Sequence, residues 1–158
     1  MRKQLIYLQK MLEEALKGRV KKVFLGKPKD INLAPLPCVY VTVGTDTASI
    51  ADSASDIHNA QIIVGVCLSK GTKSKSAEDT LLLEFMDFFE GTDDIGDILP
   101  QSIFGTFREL SSARKVPRGI SLAVSDSSVN YENPVDLETE KVSVREAEFT
   151  LTFLVDNN

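Results

Sequence analysis

The opening residues interleave charge with leucine at a spacing that a helix turns into a single face. Leu5, Leu8, Leu12 and Leu16, with Ile6 and Ala15 beside them, recur at three- and four-residue steps, the period of one side of an α-helix. Lys17 falls in its last turn, where a cation suits the carbonyl end, and Gly18 is a natural stop. VKKVFLG (20–26) reads as a short strand, and Lys27 to Pro37, with three prolines, as a loop. CVYVTV (38–43) puts Val39, Val41 and Val43 on one side of a strand. Residues 44–57 are small, polar and acidic, and predict a mobile loop or a splayed hairpin tip. HNAQIIVGVCLSK (58–70) alternates Ala60, Ile62, Val64, Val66 and Leu68 on one face, with Ile63 and Cys67 making the other partly apolar, as in a central strand.

A basic loop KGTKSK (70–75) leads to Ser76 and Asp79, which resemble a capping box, and to the helix AEDTLLLEFMDFFEG ending at Gly91. Leu82, Phe85, Met86 and Phe89 form its core stripe, Leu81 and Phe88 widen it, and Thr80, Glu84 and Asp87 mark the solvent side. Pro100 breaks any helix in 92–115, and Ser102 caps a short one, IFGTFREL. ISLAV (120–124) reads as a strand continued by SSVNY (127–131), and Asn133-Pro134 starts a turn. The segment VSVREAEFTLTFLV alternates Ala147, Phe149, Leu151, Phe153 and Val155 against Glu146, Glu148, Thr150 and Thr152. Val142 and Val144 have the opposite parity, which predicts a bulge or turn near Arg145. Helices and strands do not alternate as in a βαβ protein, so the expected class is α+β. One domain spans 1–158, with a mainly antiparallel sheet flanked by an N-terminal and a central helix.

Composition agrees with a globular chain: 158 residues and 42% hydrophobic content suffice to bury a core without disulfides or metal. The N-terminus lacks the continuous apolar run of a signal peptide, and no stretch approaches a membrane span, so the expectation is a protein made in a cytoplasm-like compartment and without a membrane partner. Cys38 and Cys67 read as buried free thiols that lie close if their strands pair. Charge is distributed unevenly. Residues 1–29 hold nine of the eighteen Lys and Arg against two acids, a net +7, which leaves −12 for the rest of a chain of net charge −5. Such asymmetry suits either nucleic-acid contact or complementary packing between subunits.

Catalytic patterns are sparse. A Ser-His-Asp or Cys-His pair would have to use His58, the one histidine, which stands at the mouth of a strand. One histidine and two separated cysteines do not make a zinc site, and Gly71-Thr72-Lys73-Ser74 lacks the first glycine of a phosphate loop. The acid pairs Asp93/Asp94, Glu138/Glu140 and Glu146/Glu148 are better read as solvated faces. Glu146 and Glu148 point the same way, about 7 Å apart from the strand rise. No catalytic residue, metal ligand or cofactor is therefore expected, and the chain is read as a non-enzyme.

The succession of elements carries more. An amphipathic helix, a proline-rich loop ending in LPCVYVTV, a polar stretch, HNAQIIVGVCLSK, SAEDTLLLEFMDFFEG, SIFGTFREL and REAEFTLTFLV follow in that order. This order resembles the tail terminator (tail completion) proteins of long-tailed bacteriophages over nearly the whole chain; the stretch 92–101 and the acidic 125–141 segment depart from it. The resemblance implies a structural virion protein of the tail or neck, assembled in the host cytoplasm. It would form a ring of about six copies at the head-proximal end of the tail tube. That ring would stop tube growth and bind the tube protein on one side and a head-completion or stopper protein on the other. DNA would pass through its lumen without specific binding, beside a wall for which Glu146 and Glu148 are candidates. Lys21, Lys22 and Lys27, with Leu81 and Phe88, are the candidate contacts between subunits. The alternatives are another neck or tail ring subunit, such as a head-tail stopper or tube-like protein, a small cytosolic enzyme using an acidic pair, and a nucleic-acid adaptor using the basic helix.

Overall fold

The structure, a computed structural model, describes residues 1–70, 75–112, 123–131 and 141–156. The elements in chain order are α1 (Arg2–Ala15), β1 (Lys22–Leu25), a 3₁₀ turn at Ile31–Leu33, β2 (Cys38–Ile50), β3 (Ser55–Ser69), α2 (Lys75–Phe89), α3 (Ile103–Ser112), β4 (Ala123–Asn130) and β5 (Val142–Asp156). The strands make one sheet in the order β1-β2-β3-β5-β4. Only β1 and β2 run parallel; the other neighbours are antiparallel. The class is α+β, and β3 is the central strand that its two-sided apolar pattern predicts.

All three helices pack on one face of the sheet. Leu8, Leu12 and Leu16 at the start of the chain, Phe85, Phe88 and Phe89 from α2, and Ile103, Phe107 and Leu110 from α3 meet Val39, Val41, Ile62, Val64, Val66, Ala147, Phe149, Leu151 and Phe153 of the strands in one buried cluster. The Phe107 and Phe149 rings stack at 3.7 Å between centroids, and Phe104 meets Phe149 edge-on at 5.5 Å. Helix α1 also closes the β1 edge, since the Gln9 amide donates to the Val23 carbonyl at 2.8 Å. The helix ends at Ala15, so Lys17 lies beyond its last turn, and Gly18 turns the chain in the left-handed region at φ +81°. Ser102 does cap α3: its hydroxyl oxygen accepts the Gly105 N–H at 2.9 Å.

The opposite face carries a second, smaller core of Cys38, Tyr40, Cys67 and Val142, with Phe24 and Val144 beside it. The Lys27–Pro37 segment folds over it as a flap, laying Ile31, Ala34 and Leu36 on the cluster. This second core overturns the expected bulge or turn near Arg145. The β3–β5 register runs without a shift from Ser55↔Asp156 to Ser69↔Val142, so Val142 and Val144 change parity because they are buried under the flap. The sheet's register shifts lie elsewhere, between Val43 and Asp46 of β2 and between Val124 and Asp126 of β4.

Of the two readings of 44–57, the hairpin tip is the one found, closely paired and not splayed, and the mobile loop is corrected. Residues 44–50 and 55–57 are strand, paired through Ile50↔Asp56, and only 51–54 turn the hairpin. There the Asp52 carboxylate accepts the Ala54 N–H at 2.7 Å. The strand read through ISLAV and SSVNY is β4 over Ala123–Asn130, so the start of the acidic 125–141 segment is strand, while 132–140, with the Asn133-Pro134 turn, lies outside the described residues, as do 71–74 of the basic loop, 113–122 and the Ser76 side chain of the capping pair.

Candidate assembly surfaces

On the flap face a row of three residues crosses the sheet, Tyr40 on β2, Gly65 on β3 and Glu146 on β5, each the direct register partner of the next. The Tyr40 ring lies across Gly65, where a Cβ would stand 2.1 Å from the ring carbon that bears the hydroxyl. Only a residue without a side chain leaves room for that crossing. The Tyr40 hydroxyl then donates to the Glu146 carboxylate. Lys27, descending from the start of the flap, reaches the same carboxylate at 3.4 Å and stands 5.8 Å over the Tyr40 ring. Burial, followed by the Glu146 hydrogen bond and charge, pushes the Tyr40 phenol well above its ordinary range.

Two sets of residues that the sequence assigns to different surfaces therefore meet. Lys27 was expected to face a neighbouring subunit and Glu146 a lumen, yet they pair inside one chain. Glu148 keeps its own partner, accepting from the Gln61 amide at 2.8 Å. Beyond the flap this face is mixed: Asn59, Glu148 and Ser128 are exposed, Gln61, Ile63 and Thr152 are half-buried, and Ile57 and Leu154 are exposed toward the hairpin end. Lys21 and Lys22 are exposed at the flap end of the sheet, the Lys22 ammonium 4.6 Å over the Phe24 ring.

The apolar contacts expected from α2 are rearranged. Phe88 is 4% exposed, within the helix-side core, so it is no part of an outer surface. Arg19 lies 4.5 Å above its ring and bonds to Asp87 at 2.5 Å and to the Gln101 carbonyl at 3.0 Å. Leu81 packs half-buried against the same core, whereas Leu82 and Met86, expected in the core stripe, are only half-buried and Leu83 is exposed. The helix is rotated relative to the expected stripe because Phe85, Phe88 and Phe89 bury more area than Leu82 and Met86 would. Further exposed apolar side chains lie toward the hairpin end, the register partners Ile57 and Leu154 on the flap face and Ile50 on the other.

His58 is four residues into β3, on the helix-side face. Its Nδ1 lies 2.9 Å from the Asp46 carboxylate and its ring stacks on Phe153 at 5.2 Å. A carboxylate on one side and a phenyl ring on the other make this a packed, hydrogen-bonded pair of the ladder. Among the described residues no group of three or more His, Cys, Asp or Glu is placed to hold a metal ion. No described helix is long and apolar enough to cross a membrane. Compared with protein families and with curated proteins, the chain matches none.

Proposed function

We propose that this chain is a ring-forming structural subunit of a phage tail, standing in the place of a tail terminator. The observation that carries the reading is the succession of elements, now joined to one sheet whose described helices lie on one side and whose other side, past the flap, exposes Asn59, Ser128 and Glu148. In a closed ring a subunit of this form would pack through its helix side and its two ends, where Ile57 and Leu154 are exposed, and turn the middle of the flap-side face to the lumen. Glu148 there would repel a passing duplex, while Glu146 is half-neutralised by Lys27. Exposed Lys21 and Lys22 are the basic residues left for a neighbouring subunit, where charge would set orientation and encounter rate more than affinity. A contact between two unlike surfaces is what closes a ring.

The test is sedimentation and electron microscopy of the purified protein, alone and mixed with growing tail tubes. Rings of about six copies that cap tubes and halt their growth are the expected result. A particle that caps no tube but binds the head-side partner would assign it to the stopper class. A monomer that leaves tube growth unchanged would remove the reading altogether.

A further inference from the structure

Cys38 and Cys67 are direct register partners across the β2–β3 ladder. Both side chains belong to the flap-face cluster, both are 0% exposed, and both are free thiols. Directly opposed residues of an antiparallel pair have Cα atoms about 4.5–5.5 Å apart, within the roughly 4.4–6.8 Å that a disulfide spans. Directly opposed side chains of a ladder leave the sheet on the same face, so the two thiols stand side by side in that buried cluster. We infer that Cys38 and Cys67 form a paired-thiol oxidation site, closing to an intramolecular disulfide when a small-molecule disulfide enters beneath the raised Lys27–Pro37 flap. The inference is independent of what the chain assembles into.

The chemistry balances as an exchange. Cys38 gives its proton to solvent, and its thiolate attacks one sulfur of the incoming disulfide and expels a small thiolate, leaving a mixed disulfide. Cys67 gives its proton to solvent and attacks the Cys38 sulfur, expelling the second small thiolate. The protein loses two electrons and two protons, and the small disulfide becomes two thiols. Cys38 is the attacking partner because the Cys67 hydrogen bond holds its thiol below the ordinary thiol pKa, outweighing its burial. Cys67 holds its proton, raised by that same hydrogen bond and then by burial. The charged groups facing the pair are Lys27, which favours the Cys67 thiolate, and Glu146, which opposes it.

Access is governed by the flap. Among the described residues what holds it down is the apolar contacts of Ile31, Ala34 and Leu36, the Lys27–Glu146 pair at 3.4 Å with the same ammonium over the Tyr40 ring, the Lys21 N–H to the Pro37 carbonyl at 2.8 Å at the flap's end, and the Lys141 N–H to the Asn32 side chain at 3.3 Å. A segment tied in this way opens locally without unfolding the sheet. Once formed, the bond would staple the flap ends of β2 and β3.

The experiment treats the native protein with oxidised glutathione, quenches with acid, and reads mass and the thiols that titrate in denaturant. The expected product is a chain lighter by two hydrogen atoms, with no titratable thiol, no glutathione retained, and full reversal by dithiothreitol. Ile31→Ala should form it about tenfold faster, because a smaller side chain loosens the flap. Two surviving thiols in both proteins, or a glutathione adduct that persists, would overturn the inference.

Discussion

The two faces of the sheet bury apolar residues by different means. The helix face is closed by three elements whose leucines and phenylalanines interlock with every second residue of β2, β3 and β5. The flap face has a core of four buried residues under a proline-rich segment, and it relies on one polar crossing, Tyr40 over Gly65 to Glu146, to fix what lies beneath. The first kind of core draws on area and tolerates the loss of any one polar contact. The second is small, so that single contacts and single glycines govern it.

The sharpest way to break this contrast is at the centre of the helix face. Phe149→Ala, which removes the ring stacked on Phe107, should cost about 4 kcal/mol in denaturant unfolding. A cost below about 1 kcal/mol would mean that the helices do not close that face. On the flap face Gly65→Ala should cost about 2–3 kcal/mol by forcing the Tyr40 ring aside. The same substitution in a Tyr40→Ala background should be nearly neutral. That non-additivity, measured by a double-mutant cycle, is the signature of one ring crossing one glycine.

Tyr40→Phe removes the hydroxyl donated to Glu146 and should cost about 1 kcal/mol at neutral pH. Its pH dependence is more informative. The folded phenol titrates above its unfolded value of about 10, so its contribution is complete below that pH and fades as pH rises beyond it. Tyr131, raised by burial and then by Glu90, behaves alike. Wild-type stability should therefore fall more steeply above pH 10 than that of Tyr40→Phe, as measured by urea midpoints across an alkaline series. The smallest effect on folding is expected at Lys21→Glu with Lys22→Glu, under about 0.5 kcal/mol for exposed positions. If the assembly reading holds, that pair should nonetheless slow ring formation, with the defect shrinking in high salt. Lys27→Glu is a different experiment, since it sets a second carboxylate beside Glu146 within one subunit.

The same contrast explains what could be read in advance. Ala147 to Val155 and Ala60 to Leu68 alternate cleanly because one face is deeply buried, and from that period the class, the central strand and most of the core follow. Val142 and Val144 were open to misreading because their cover, the flap, supplies few apolar residues and no periodicity. Residues 44–50 mix Gly44, Asp46, Ala48 and Ser49, which disfavour strand, with Thr45, Thr47 and Ile50, so local propensity is undecided and the ladder to β3, a non-local cause, holds them. Helix α2 is apolar around most of its circumference, so its pattern did not decide whether Leu82 or Phe88 points inward. For the surfaces, the Lys27–Glu146 contact joins residues 119 positions apart, and no local signal announces it. The Cys38–Cys67 pairing was legible only as a condition, that the two strands be neighbours.

The long ladder between β3 and β5 has a consequence for the chain while it is being made. Its nearest partners in sequence, Ser69 and Val142, lie 73 residues apart. At a synthesis rate of roughly 5–20 residues per second, β3 waits about four to fifteen seconds between its own appearance and the arrival of β5. During that interval β2 can pair one side of it, but the edge that β5 will take stays bare, beside Ile62, Val64, Val66 and Leu68. A nascent strand of this composition is a place for a chaperone to bind, or for a second growing chain to pair by mistake.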